Sequence, residues 1–236
     1  MSAITLERYQ KELVDLFRSN GDASNRKPME NYMRNHFSFL GIKSPKRKMI
    51  LKEFFRDYGK PELEWISPLV AFLYEQPERE FHYSALAMID VHIKKSGVEW
   101  LPLLEELIVK KSWWDTVDHI APHHVGAVLL REKTGIIDYP DRWIESDNFW
   151  LQRSALLFQL KYKEKTDEEK LFSYIEATKG SKEFFIQKAI GWALREYSKT
   201  APEEVLRFIN STEDLAPLSR REGLKHLERK KLNSYS

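Results

Sequence analysis

Apolar residues in this chain recur at intervals of three and four, and the strict alternation that marks a strand is scarce. Leu101–Val109 and Phe184–Tyr197 carry this helical period and predict amphipathic helices. Ser44-Pro45 predicts a helix start, with Ser44 as cap and Pro45 at the first helical position. Breaks are predicted near Gly41, Gly59-Lys60-Pro61, Gly97, Gly135, Tyr139-Pro140, Gly180 and Ala201-Pro202. No linker or low-complexity stretch divides the chain, so residues 1–236 read as one continuous all-α unit.

The helical pattern repeats. Taking Phe81, Trp114, Trp150, Phe185 and Leu218 as equivalent gives separations of 33, 36, 35 and 33 residues. That period is typical of paired-helix solenoids. Three residues further on stand Ser84, Val117, Arg153, Lys188 and Arg221, and four further on Ala85, Asp118, Ser154, Ala189 and Glu222. Seven further on stand Met88, Ala121, Leu157, Trp192 and Lys225. These offsets make one stripe along each helix. The stripe mixes large aromatics with charges, too charged for a core of unpaired ions and too aromatic for a solvated face. A concave groove accounts for both, with Arg153, Lys188 and Arg221 forming a basic ladder at the roughly 8–10 Å spacing of packed helices. The alternatives are solvated charges, or an aromatic core with the phase displaced by one residue. A basic ladder with interleaved aromatics is a nucleic-acid signature.

Composition narrows the setting. Hydrophobic residues make up 42% and charged residues 31% of 236, an ordinary globular balance. The formal charge of +2 is too small to argue for nucleic acid alone, although residues 148–236 carry 17 Lys and Arg against 13 Asp and Glu. Cysteine is absent, which excludes disulfides, thiolate metal sites and a cysteine nucleophile. The first residues lack a signal-peptide core and no apolar run is long enough to span a membrane, so a cytoplasmic location is expected.

The most unusual segment is Lys111-Ser112-Trp113-Trp114-Asp115-Thr116-Val117-Asp118. Trp114 and Asp118 are four apart, one above the other on a helix, so an aromatic face lies beside an anion. Such a pair suits the stabilisation of a cation. Trp113 points about 100° away and is the core candidate of the two indoles. Trp150 and Phe185 read as packing or groove-wall residues. Asp115, His119 and His123 have the spacing of a helical metal stripe, but Pro122 is expected to kink or end the helix there, so no metal is assigned. Lys43, Lys46, Arg47 and Lys48 cluster at a helix start, either as a solvated run or as a phosphate anchor. Arg195 and Lys199 extend the groove or are simply exposed.

These residues resemble the AlkD-type DNA glycosylases, helical-repeat enzymes that excise alkylated purines, and the resemblance implies a HEAT-like α-solenoid of antiparallel helix pairs. The resemblance is carried by Glu30-Asn31-Tyr32-Met33-Arg34-Asn35-His36-Phe37, Phe39-Leu40-Gly41-Ile42, residues 111–118, Trp150-Leu151-Gln152-Arg153, residues 181–192 and Leu215-Ala216-Pro217-Leu218-Ser219. It implies a catalytic aspartate at Asp118, active-site tryptophans at Trp114 and Trp192, a groove arginine at Arg153 and an N-terminal tyrosine at Tyr32. With Lys188, Arg221, Arg195 and Arg47, the last two residues of that set form the expected DNA-binding group. The implied reaction is hydrolysis of the N-glycosidic bond of 3-methyladenine or 7-methylguanine in double-stranded DNA, leaving an abasic site. It needs no cofactor, and a monomer is expected. The competing readings are a noncatalytic helical-repeat protein that binds damaged or branched DNA, and a solenoid scaffold for protein partners.

Overall fold

The structure, a computed structural model, describes residues 4–132 and 138–233 and groups them into two compact units, residues 1–95 and 96–236. The predicted break at Gly135 lies outside the described residues. The division falls beside the predicted break at Gly97. Among the described residues there is no β-strand, only an isolated bridge between Ser38 and Glu78. No helix among them is long and apolar enough to cross a membrane.

The first unit comprises α1 (Leu6–Ser19), α2 (Ala23–Tyr32), α3 (Ser44–Tyr58), α4 (Ile66–Glu75) and α5 (Arg79–His92). Helix α1 shows why these segments fold as they do. Thr5 caps it by accepting from the Arg8 amide, and Tyr9, Leu13 and Phe17 lie at successive turns and are buried. Tyr9 packs edge-on to Phe54 of α3 at 4.7 Å, and Phe17 meets Phe81 of α5 at 5.6 Å. Each such side chain removed from water contributes about 1.5–3 kcal/mol. Helix α5 is buried over most of its length, and its Glu80 carboxylate accepts from the backbone amides of Leu40, Gly41 and Ile42 at 3.0, 2.9 and 2.9 Å. Gly41 has φ 87°, and a Cβ there would lie 2.0 Å from the Asp22 carbonyl, so this turn requires glycine. Helix α3 starts one residue earlier than the Ser44-Pro45 pattern predicts. The carbonyl of Lys43 already accepts the amide of Arg47 at 3.0 Å, which makes Lys43 the cap and Ser44 the first helical residue.

The second unit comprises α6 (Leu101–Val109), α7 (Trp114–His119), α8 (Gly126–Arg131), α9 (Tyr139–Ile144), α10 (Phe149–Leu157), α11 (Glu168–Thr178), α12 (Phe184–Tyr197), α13 (Pro202–Ser211) and α14 (Pro217–Asn233). Helices α6 and α12 have the bounds their periodicity predicts. Tyr139-Pro140, expected as a break, opens α9, with the proline in the first turn where its missing N–H costs nothing. Pro122, expected to kink or end a helix, does neither cleanly. Residues Ile120–Val125 form a π turn that joins α7 to α8 without interruption, and the amide of Gly126 reaches the carbonyl of Ala121, five residues back. The wider turn accommodates a ring that cannot donate to the carbonyl of Asp118. Gly126 then lets the backbone pass close to the end of α10, since a Cβ there would lie 2.2 Å from the carbonyl of Phe158.

Candidate active site

Helix α6 ends at Val109, and the chain reverses through Lys111, which has φ 48°. Lysine adopts this left-handed conformation rarely, and here it swings Trp113 into extended backbone directly before α7. Trp113 therefore lies outside the helix that carries Trp114. It is half-buried rather than a core residue, and its ring meets Trp150 at 5.8 Å and Phe185 at 5.3 Å. Within α7, Thr116 and Val117 are buried and anchor the helix, while Trp114 and Asp118 stay partly exposed one turn apart.

Asp118 is held from the neighbouring α10. Asn148 caps α10 through the Trp150 amide, and one turn later Arg153 sends its guanidinium across to α7. Nε donates to Asp118 Oδ1 at 2.7 Å and Nη2 to Oδ2 at 2.8 Å. The third branch, Nη1, donates to the carbonyl of Phe185 in α12. Arg153 is 1% exposed and the Asp118 side chain 19%, so the pair is a desolvated fork with one edge of the carboxylate reachable. Burial pushes the Asp118 carboxyl above the usual carboxylate range. The hydrogen bonds and charge of Arg153 oppose that rise without cancelling it, and the charge of Asp115 adds to it.

The same guanidinium lies 5.0 Å from the centroid of the Trp192 ring and 5.8 Å from that of Phe185. Trp192, half-buried on α12, has a second cation nearby in Lys188, one turn earlier, whose ammonium is 5.7 Å from the ring centroid. Lys188 is in turn bound to Glu222 of α14 at 3.0 Å. Helices α12 and α14 approach this closely because residue 191 is glycine. A Cβ there would lie 2.4 Å from the Cβ of Glu222.

The arrangement is a carboxylate with a guanidinium behind it, one turn from an indole and linked through that guanidinium to a second indole. It can oppose positive charge developing on a ligand and can orient a water.

Residues 13–227 match the sequence profile of the family described as DNA alkylation repair enzyme. This chain belongs to that family. Among solved structures, it is similar to one described as a predicted DNA alkylation repair enzyme from Enterococcus faecalis. The two share 32% identity with a TM-score of 0.81, over 88% of this chain and 96% of the other. No curated protein matches the chain at the significance required.

In this DNA alkylation repair family member the predicted site residues fall into three groups. Asp118 and Arg153 are in direct contact, and Arg153 and Lys188 both approach Trp192, while Trp114 stands one turn from Asp118. Arg195 and Arg221 belong to the same unit. Arg195 pairs with Glu222 at 3.2 Å, and Arg221 is exposed. Tyr32 and Arg47 belong to the first unit. Tyr32 closes α2 and is 70% exposed, and the Arg47 guanidinium lies 4.3 Å over the ring of Tyr83. His119 stacks on His123 at 4.7 Å across the π turn.

Of the expected ladder, Arg153 and Lys188 are paired across helices and Arg221 is exposed. Phe81, Ser84, Ala85, Met88, Val117, Ala121, Trp150, Arg153, Ser154, Leu157 and Ala189 are buried, so much of the stripe is the packed side of its helices. Its charges are tolerated because they are paired across helices, Arg153 with Asp118 and Lys188 with Glu222. Glu222 is not among the predicted site residues, yet it takes a cation across helices as Asp118 does. The signal was its register, since it occupies the repeat position of Asp118.

Proposed function

We propose that this repair-family protein is a monofunctional DNA glycosylase that hydrolyses the N-glycosidic bond of cationic alkylated purines, 3-methyladenine and 7-methylguanine, in double-stranded DNA. The observation that carries the reading is Asp118. Its carboxylate is held by the buried fork of Arg153, keeps an accessible edge, and lies one turn from Trp114. Alkylation at N3 of adenine or N7 of guanine makes the purine a cation. When the bond from C1′ breaks, its electron pair enters the purine and neutralises it, while positive charge develops on the sugar. Asp118 opposes that charge and orients a water whose oxygen bonds to C1′. The proton of the water passes to the carboxylate or to solvent, and the products are a free base and an abasic site. Trp114 and Trp192 offer indole faces to the cationic base or sugar. Arg153, buried and bound to Asp118 and to the Phe185 carbonyl, fixes the carboxylate. Exposed Arg221, and Tyr32 and Arg47 of the first unit, bear on the DNA backbone, while Lys188 and Arg195 are held by Glu222. The reading requires no cofactor and includes action as a cytoplasmic monomer.

The test is release of methylated bases from alkylated duplex DNA with enzyme in excess. Release of free base with formation of abasic sites supports the proposal. Tight binding to the same DNA without release makes the protein a noncatalytic binder of damaged DNA.

A further inference from the structure

A second carboxylate is set into the same unit in the manner of Asp118. Glu222 of α14 is 4% exposed. Its Oε1 accepts from Lys188 Nζ at 3.0 Å and from Lys225 Nζ at 2.6 Å, and its Oε2 accepts from Arg195 Nη1 at 3.2 Å. In the helical repeat Glu222 is equivalent to Asp118, and Lys188 is equivalent to Arg153. Each acid thus holds the cation one position earlier in the register of a neighbouring helix. Asp118 on α7 holds Arg153 on α10, and Glu222 on α14 holds Lys188 on α12. Both held cations lie beside one ring, that of Trp192, at 5.0 and 5.7 Å from its centroid.

This crowding sets an electrostatic problem. A ring that already has two cations near it is a poor place for a third, because like charges repel and the repulsion grows as water is removed. Each of the two cations is matched by a carboxylate, Arg153 by Asp118 and Lys188 by Glu222. Glu222 carries the larger share, since it faces Lys188, Arg195 and Lys225 with one negative charge. Burial pushes its carboxyl up, but its bonds to Lys225 and Lys188 and their charges outweigh that and hold it below the usual range, so it stays ionised.

We infer that Glu222 is a positioning residue for base release, holding and neutralising Lys188 beside Trp192 so that the ring can accept a cationic purine or sugar. The inference rests on the glycosylase reading above. It separates two quantities that a purely structural residue would move together. Loss of the negative charge makes the unit more attractive to a polyanion and less hospitable to a cation.

The experiment compares wild type, Glu222→Gln and Glu222→Asp. Affinity for undamaged duplex is measured across a salt series, and release of 7-methylguanine is measured in single turnover at saturating enzyme. Glu222→Gln is expected to bind undamaged duplex several-fold more tightly, with a salt slope steeper by up to about one unit per cation freed for a phosphate. Its saturating rate is expected to fall by about tenfold. Glu222→Asp, which keeps the charge, is expected to return both quantities toward wild type. A rate for Glu222→Gln equal to wild type overturns the inference, and so does a joint fall of affinity and rate. If Glu222→Gln does not fold, the double variant Lys188→Gln/Glu222→Gln removes both members of the buried pair together. Its rate is then expected to match that of Lys188→Gln alone, and a further tenfold loss overturns the inference. Wild-type protein that releases no base overturns the glycosylase reading and this inference with it. Wild-type protein that releases base at the same rate as Glu222→Gln removes the inference only.

Discussion

Arg153 donates from two guanidinium nitrogens to the two oxygens of Asp118, at 2.7 and 2.8 Å, and joins two helices whose residues stand 35 apart in the chain. The fork decides how each member is expected to behave when it is changed.

Asp118→Asn keeps the shape of the side chain and removes the charge that opposes the sugar cation. Its single-turnover release of 7-methylguanine is expected to fall, by at most the roughly 10²–10³ that loss of one preorganised stabiliser costs, and less because the cationic base already leaves readily. Asp115→Asn is the comparison. Arg153 directs its fork at Asp118 and not at Asp115, so this variant is expected to stay close to wild type. Equal rates for wild type and Asp118→Asn would remove the carboxylate from the mechanism.

Arg153→Ala leaves a largely buried carboxylate without its partner, a change that typically costs about 3–5 kcal/mol. A lowered melting temperature and reduced base release are expected. The salt dependence of binding to undamaged duplex is expected to stay as in wild type, because the guanidinium is spent on Asp118 and the Phe185 carbonyl. Arg153→Lys keeps the charge but cannot make the fork, so it is expected to recover only part of the activity. A salt slope flattened by about one unit in Arg153→Ala would instead show a phosphate contact.

Base release is expected to decline on acidification at a higher pH than an ordinary aspartate would allow. Burial raises the Asp118 carboxyl above its usual value, which is about 3.9, and the reaction needs the ionised form, so activity is lost as pH falls through the raised value. The linkage has the opposite sign. A carboxyl whose pKa is higher in the folded state costs stability above that pKa, and the cost is relieved as pH falls. The pH profile of single-turnover release, corrected for uncatalysed depurination, checks this. A flat profile down to about pH 4 would contradict it.

Gly126→Ala places a Cβ 2.2 Å from the carbonyl of Phe158, a backbone atom that cannot swing aside. Overpacking of this kind costs about 1–3 kcal/mol, so a melting temperature lower by several degrees is expected. Gly59→Ala is not an equivalent control, because its φ of 81° strains alanine even though the space is open. Gly180→Ala, with open space and no positive φ, is expected to melt close to wild type.

The helices were legible because their apolar spacing and caps are local. The repeat register was legible for the same reason, since Phe81, Trp114, Trp150, Phe185 and Leu218 all fall in the first turn of α5, α7, α10, α12 and α14. The direction of the stripe was not legible. Spacing shows that Arg153 and Lys188 lie on a face with aromatics, but it does not carry the identity of a partner on another helix. Without Asp118 and Glu222 in place, a buried arginine is indistinguishable from a rung of a groove. The one-turn relation of Trp114 to Asp118 was readable, whereas the placing of Trp113 depended on the left-handed turn at Lys111, which no local rule assigns to lysine. The π turn was hidden because Pro122 is ordinarily a terminator.

That π turn also acts as a phase setting. A residue in a helix turns the chain by about 100°, so one residue more or fewer between Asp118 and Gly126 rotates everything before it against everything after it. Downstream, Gly126 lies close against the Phe158 carbonyl at the end of α10, and the Gly126 carbonyl accepts from the Tyr162 hydroxyl at 2.9 Å. Upstream, Asp118 is fixed to the middle of α10 by Arg153. The two attachments gauge the same helix at two heights, and the extra residue of the π turn is the tolerance that lets both be met at once. Deleting one residue from the turn therefore removes more than a side chain, because the carboxylate can then face its arginine only if the glycine loses its seat.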